Sequence, residues 1–344
     1  MAVIKKKSAK QRTRKLFLLG GVFLFLGYLF FANKILSYKK ELKSNNFLIE
    51  GWVSPHTLER FANQMKNKND YCIFIVGREF EANKEELSFE YLPHHSTIPL
   101  YGNAMVYLPL KYLDSENIIL GINSRGQHVF DYPAFYTLSS KERIITSGFL
   151  PMVDSTVFFS EILSERKDTL IISFINDIRG SNGDRNLYIE FPSIEIDNHH
   201  THNIQYAFVN GINKDSGYSS QPAKVKNYLI HLGVPPEKIR EISYTNSKKN
   251  LTWASAKATA DYIISKTQNL EDLIIITEGH HSLRSYIAYK RWINSEQVDL
   301  GVTYYEDDII ESKYTTTNLQ KKIRYIFDES FSILITLVKP KSLE

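Results

Sequence analysis

A single cysteine, Cys72, stands in a chain of 344 residues, which excludes an internal disulfide and any zinc cluster built on cysteine. It lies in the apolar run Tyr71-Cys72-Ile73-Phe74-Ile75-Val76 and reads as a small buried hydrophobe. The best-marked catalytic motifs are missing too. No G-x-G-x-x-G, P-loop, G-x-S-x-G or H-E-x-x-H is present, which removes the clearest nucleotide, hydrolase and zincin readings. Internal repeats and low-complexity tracts are also lacking. An excess of either charge is lacking as well, since 42 Lys and Arg stand against 38 Asp and Glu for a net charge of +4. Lys5, Lys6, Lys7, Lys10, Arg12, Arg14 and Lys15 account for more than that excess, so the basic balance belongs to a leader and not to a nucleic-acid face.

What is abundant is apolar and aromatic. Hydrophobic residues make up 43% of the chain, and there are 21 Tyr and 20 Phe, enough for packed cores and suited to β-rich surfaces. Such a length suggests two domains.

Residues 16–33, LFLLGGVFLFLGYLFFAN, carry no charge. They are near the short end of what spans a hydrocarbon core of about 30 Å. The basic leader, residues 1–15, outweighs Lys34, Lys39, Lys40 and Lys43 on the other side and sets the N-terminus inside. A cleaved signal peptide and a buried core helix are the rival readings. The run exceeds the usual signal core, and Phe30-Phe31-Ala32-Asn33-Lys34 offers no small-residue cleavage site. The expectation is a single-pass anchor in the inner (cytoplasmic) membrane, with the bulk of the chain periplasmic or extracellular. Residues 34–46 then read as a polar stalk.

Beyond it the pattern is α/β. Phe47-Leu48-Ile49 reads as a strand, and Ser54-Pro55 opens a helix whose apolar stripe is Leu58, Phe61, Ala62 and Met65. Tyr71–Val76 fits a strand buried on both faces. From about 80 to 197 no helical stripe occurs. Ala104–Pro109, Asn117–Ile122, His128–Tyr132, Thr169–Ile175 and Leu187–Ile196 read instead as short strands of an antiparallel β-sandwich. Helical stripes return with Val225, Tyr228, Leu229 and Leu232, closed by Gly233, and with Leu251, Ala254, Ala258 and Tyr262. Leu273–Ile276 reads as a strand, His281–Ile293 as a helix, and Gly301–Tyr305 as a further strand. An α/β domain (47–79 and 203–344) is thus interrupted by a β-domain (80–202). His199, His200 and His202 fall at the junction and read as a solvated linker.

Ligands of open parallel sheets sit at the strands' carboxyl ends. The richer of two such ends is Thr277-Glu278-Gly279-His280-His281-Ser282-Leu283-Arg284-Ser285, which combines hydroxyls, a helix start, an acid–base histidine and an arginine fork for an anion. The same pattern also fits a helix start with ordinary polar capping. A second local signal is Phe174–Ile189. Two apolar strands there flank a loop with Asn176, Asp177, Asn182, Asp184 and Asn186. It reads either as a hairpin turn or as oxygen ligands for calcium, without the ladder of an EF-hand.

Four stretches in order are similar to the SanA/ElyC/YdcF family of bacterial envelope proteins. They are Glu50-Gly51-Trp52, Tyr228–Ile239, Asn250-Leu251-Thr252-Trp253-Ala254-Ser255-Ala256, and Thr277 with His281-Ser282-Leu283-Arg284-Ser285. The resemblance implies a Rossmann-like doubly wound sheet, an association with envelope or peptidoglycan processes, and a pocket of Asn250, Thr252, Thr277, His281 and Arg284. One departure is Arg78, where the family often carries the second of two glycines. The loop and Asn117–Pro133 resemble calcium-dependent xylan-binding carbohydrate-binding modules, over residues 85–197. That resemblance implies a Ca2+ ion held by Asp177 and Asp184 with Asn176 and Asn186, and a polysaccharide or cell-wall glycan as partner. The whole reads as a glycan-binding envelope protein, with a non-catalytic glycan receptor as the alternative.

Overall fold

The computed structural model describes Gly27 and residues 36–80, 90–91, 97–100, 104–109, 118–126, 132–140, 144–150, 155–160, 169–176, 178–180, 183–185, 187–196, 199–201, 205–210, 218–245, 251–267, 270–293, 298–305 and 319–338. The basic leader and, Gly27 apart, the uncharged run fall outside the described residues, as does the anchor expected there. Among the described residues no helix is long and apolar enough to cross a membrane.

One sheet is parallel. Its strands are β1 (Asn46–Glu50), β2 (Cys72–Arg78), β16 (Ile239–Tyr244), β17 (Asp272–Glu278) and β18 (Asp299–Tyr305), in the order β16-β2-β1-β17-β18. The chain winds outward from β1 in one direction, then returns past it and winds outward in the other. The order therefore reverses between β1 and β17. Alternation of side chains explains why these strands read as unbroken apolar runs. Phe47, Ile49, Ile73, Ile75, Ile274 and Ile276 point to one face, where they pack with Leu58, Phe61, Val225 and Leu229. Leu48, Phe74, Val76, Leu273 and Ile275 point to the other, against Trp253, Ala256, Ala260 and Tyr289.

The first face is covered by α1 (Pro55–Met65) and α2 (Gln221–His231). The Ser54 hydroxyl accepts from the Thr57 N–H at 3.3 Å and caps α1, whose stripe Leu58, Phe61, Ala62 and Met65 is buried throughout. Gly233, at φ +94°, ends the chain's run beyond α2 in a conformation open to glycine. The opposite face carries α3 (Leu251–Lys266) and α4 (Ser282–Trp292). On α3 the stripe expected at Leu251, Ala254, Ala258 and Tyr262 is only partly buried, and the face that packs is Thr252, Trp253, Ser255, Ala256, Thr259, Ala260 and Ile263. Hydroxyls can line that face because they find partners: Thr259 Oγ1 donates to the Ser255 carbonyl at 2.8 Å and Ser255 Oγ to the Tyr244 hydroxyl at 3.2 Å.

Between β2 and β16 in sequence come the antiparallel strands β3 (Glu90–Tyr91), β4 (Thr97–Leu100), β5 (Ala104–Pro109), β6 (Ile118–Gly126), β7 (Phe135–Ser140), β8 (Ile144–Phe149), β9 (Ser155–Ser160), β10 (Thr169–Phe174), β11 (Ile178–Gly180), β12 (Gly183–Arg185), β13 (Leu187–Ile196), β14 (His199–Thr201) and β15 (Gln205–Asn210). One sheet runs β3-β15-β5-β10-β7-β8, a second β14-β13-β6-β9 with β4 also on β13, and β11-β12 is a separate hairpin. His199 and His200 are not in a linker: they pair in register with Ile196 and Glu195. Most of the strand expected at His128–Tyr132 lies outside the described residues.

The antiparallel part packs on α1 and α2. The Phe135 ring meets those of Tyr228 and His231 at centroid distances of 5.0 Å. Arg185, fully buried, donates to Glu59 Oε1 at 2.9 Å, and the Tyr228 hydroxyl donates to the same oxygen at 2.5 Å.

Two segments depart from the expected organisation. Residues 36–45 do not stand away as a stalk. Lys40 exchanges two backbone hydrogen bonds with Val302 (3.0 and 3.1 Å), its ammonium meets Asp299 at 2.7 Å, and Leu36 is buried. The polar composition of this stretch hid its role as a cover for the β18 edge. A further helix, α5 (Leu319–Val338), packs on α4, and the Arg291 guanidinium donates to the carbonyls of Thr336 (2.9 Å) and Leu337 (2.7 Å) at its end.

Candidate functional site

Where the strand order reverses, the carboxyl ends of β1 and β17 present Glu50 and Thr277 on the face that holds α3 and α4. Both are fully buried. Thr277 Oγ1 and Ser285 Oγ donate to Glu50 Oε2 at 2.7 and 2.8 Å. Burial pushes the Glu50 carboxyl above the usual carboxylate range, against the opposite pull of those two hydroxyls and of the Arg284 and His281 charges. Its other oxygen, Oε1, is buried and takes no hydrogen bond from the protein. Arg78 Nε, at the end of β2, is in the same condition. An acceptor at the reversal point and a donor at the end of the neighbouring strand are groups that a bound polar molecule would satisfy.

At the start of α4 the second part of the site assembles. Arg284 Nη2 donates to His281 Nδ1 at 2.9 Å, and Glu329 from α5 closes the group, with Oε2 3.1 Å from His281 Nδ1 and Oε1 3.2 Å from Arg284 Nε. Both partners meet the same imidazole nitrogen, which accepts from Arg284 when it carries no proton and can donate to Glu329 when it carries one. The Trp52 ring stands edge-on to the imidazole, with centroids 4.9 Å apart and planes at 79°. Just below, Glu278 Oε1 accepts from the Ser54 N–H at 2.5 Å and ties β17 to the start of α1.

Of the residues expected from the sequence, Thr277, His281 and Arg284 come together. Thr252 is buried at the start of α3 without a hydrogen bond or ion pair to this cluster, and Asn250 lies outside the described residues. Sequence reasoning missed Glu50 and Glu329. Glu50 carried a signal, being a carboxylate directly after an apolar strand. Glu329 carried none, because α5 itself was not foreseen. On the far side of β2, the Cβ that Gly77 lacks would sit 2.8 Å from Gln221 Cβ. The start of α2 fills that wall, and the Gln221 side-chain oxygen accepts from the Arg78 N–H at 3.2 Å.

Of the four expected calcium ligands, only the Asn176 side chain is among those the structure describes. Asp177 and Asn186 lie outside the described residues, as does the side chain of Asp184, whose backbone pairs with Arg179 in the β11-β12 hairpin. Asn176 is fully buried. Its Oδ1 accepts from the Phe135 N–H at 2.6 Å, and its Nδ2 donates to the Pro133 carbonyl (2.9 Å) and the Tyr228 hydroxyl (3.2 Å). Its side chain thus joins the antiparallel strands to α2. Among the described residues no group of three or more His, Cys, Asp or Glu converges as a metal site.

A groove of about 1210 Å³ is lined by Lys39, Lys68, Tyr71, Ile274, Ile276 and Tyr305, among others. Ile274 and Ile276 face away from Thr277, so this groove lies on the other face of the sheet from Glu50. The groove and the buried polar cluster are therefore separate features.

Fold and site together define a mixed α/β protein with one parallel sheet, separate antiparallel sheets and a polar cluster at the parallel strands' carboxyl ends. No protein-family model matches the chain, and no curated protein matches it. Two solved structures align with much of it. A family two carbohydrate esterase from Cellvibrio japonicus does so at 8% identity over 72% of this chain and 84% of its own, with a TM-score of 0.21. The Glycosylation Associate Protein (Gap123) complex from Streptococcus agalactiae does so at 9% identity over 76% and 94%, with a TM-score of 0.18. Likenesses at these scores carry no argument for fold or function.

Proposed function

We propose that this chain is a membrane-anchored protein of the bacterial envelope that binds a polysaccharide or cell-wall glycan and holds a ligand at the Glu50 cluster. The observation that carries the reading is Glu50 itself. It is a buried carboxyl, raised in pKa, with one oxygen open at the point where the strand order reverses. In its protonated form it donates to a ligand oxygen, and Arg284 and His281 beside it receive a hydroxyl or an anionic group. In support, Thr277, His281 and Arg284 of the SanA/ElyC/YdcF-like motifs gather next to Glu50 of the Glu50-Gly51-Trp52 motif. On this reading the parallel sheet is a Rossmann-like domain, and the antiparallel sheets are an inserted carbohydrate-binding module that takes calcium through Asp177 and Asp184, with Asn186 as a supporting ligand. Residues 16–33 hold the chain in the inner membrane.

The test is a glycan array probed with the full chain, with and without a chelator. Glycan binding that the chelator abolishes is the expected result. Binding indifferent to the chelator removes calcium, and no binding at all removes the glycan. A second reading, a non-catalytic receptor, draws on Glu329, which already occupies the Arg284 fork. If His281→Ala and Arg284→Ala leave ligand binding and cellular phenotype untouched, the second reading replaces the first.

A further inference from the structure

Helix α5 is amphipathic in the reverse sense. A helix on the surface of a water-soluble domain turns its apolar stripe inward and its polar face out. In α5 the face against the protein carries Ile326, Glu329, Ile333 and Thr336, with Glu329 and Thr336 buried at 3% and 1% exposure. Phe331, Leu334, Ile335 and Val338, at i, i+3, i+4 and i+7, are 63%, 55%, 42% and 71% exposed. The helix is anchored from its polar side by the Glu329 pairs with His281 and Arg284, so the apolar stripe is held outward by defined contacts.

We propose that this stripe docks on the lipid bilayer, with α5 lying in the headgroup region and its outward side chains at the acyl boundary. The proposal rests on the membrane anchoring put forward above. Three observations select lipid as the occupant. Leu36, 2% exposed, packs against Ile326 of α5, and Ser282 Oγ donates to the Leu36 carbonyl at 3.1 Å. Asn33, the last residue of the uncharged run, is only three residues upstream, no more than about 11 Å of chain. The run therefore ends within that reach of Leu36, so a bilayer that received it would lie close to this helix. The sequence composition around the stripe also suits an anionic surface, with Lys321, Lys322 and Arg324 before it and Lys339 and Lys341 after it. Finally, Lys321, Lys322, Arg324, Asp328 and Glu329 within twenty residues exclude a spanning helix, which leaves one lying in the interface plane.

The test uses the full chain in vesicles of phosphatidylcholine and phosphatidylglycerol. On a Cys72→Ala background, a nitroxide is placed at Phe331→Cys, at Leu334→Cys and, as a water-facing control, at Asp261→Cys on α3. Collision rates are measured with oxygen, which concentrates in lipid, and with a nickel chelate, which stays in water. At 331 and 334 the expected result is several-fold greater exposure to oxygen than to nickel, with the reverse at 261. Nickel exposure at 331 equal to that at 261 overturns the proposal, since the stripe then faces water. Exclusion of both reagents overturns it as well, because a second copy or residues 16–33 then cover the stripe. Flotation of the same samples separates the two readings. A chain that floats with vesicles but shows nickel exposure at 331 keeps its anchor and loses the docking, and one that fails to float loses both.

Discussion

Glu50 sits where a parallel strand hands the chain over to a turn, and its neighbours decide its charge. Two hydroxyls favour the carboxylate and desolvation opposes it more strongly, so the folded-state pKa lies above the ordinary value of 4.5. The sign follows from linkage. A carboxyl raised in the folded state contributes stability that is fully present below about 4.5 and is lost as pH rises through the folded-state value. Glu50→Gln has no such dependence. The difference in melting temperature, variant minus wild type, is expected to shift in favour of the variant between pH 4 and pH 8, measured by thermal denaturation at a series of pH values. A difference that stays constant or shifts the other way means that Glu50 is ionised at little cost. Part of this site was legible in the sequence: hydroxyls, histidine and arginine after an apolar strand predict a polar strand end. Glu50 stands in a family-like stretch but not in the expected pocket, because a carboxylate after an apolar strand does not name its partners until the fold brings Thr277 and Ser285 to it.

At the scale of elements, the same periodicities succeed and fail for physical reasons. The strands β1, β2 and β17 are legible because both faces are buried, and α1 and α2 because leucine, valine and aromatic residues mark one side of each. The stripe of α3 was misplaced because Thr252, Ser255 and Thr259 pack as core residues once their hydroxyls are satisfied. Helix α5 escaped for the opposite reason, since its buried side mixes Glu329 and Thr336 with Ile326 while its outer side is apolar. Packing between elements depends on close approach as well as on pattern. Gly77, at the end of β2, lies under the first residues of α2, and an added Cβ would meet Gln221 Cβ at 2.8 Å and Pro222 Cδ at 2.9 Å. Gly77→Ala is expected to push α2 outward and cost about 1–3 kcal/mol, read from urea unfolding. A loss under about half a kilocalorie means that the helix start yields without strain.

Over the whole molecule, the antiparallel strands and the parallel sheet share one core on the side of α1 and α2. Phe135 and Ile175 belong to the same apolar cluster as Ile49, Ile75 and Tyr228. Arg185 crosses the junction to Glu59, both essentially without exposure to solvent. Removal of one partner strands the other charge in the interior, so Arg185→Ala is expected to lose about 3–5 kcal/mol. In calorimetry the wild type should unfold in one transition, which Arg185→Ala should lower or split. Two transitions in the wild type would mean that the junction transmits little. Sequence pattern predicts the change from helical to strand periodicity near residue 80. It does not reveal the junction, whose members Glu59, Phe135, Asn176, Arg185 and Tyr228 are far apart along the chain.

The segment Leu36–Asn45 has a bearing on how copies of this protein keep apart. A parallel sheet ends in two rows of open backbone groups, each a template on which a foreign strand can add. On the β18 side Lys40 takes both bonds of Val302, and Leu42 lies against Gly301, where a Cβ would come within 2.9 Å of its side chain. On the β16 side Arg240, Glu241 and Ser243 are exposed, and Glu241 pairs with Lys226 at 2.7 Å. One rim is occupied by the chain's own backbone and the other is lined with charge. Neither invites strand exchange, so molecules crowded together have little tendency to zip into filaments through the parallel sheet.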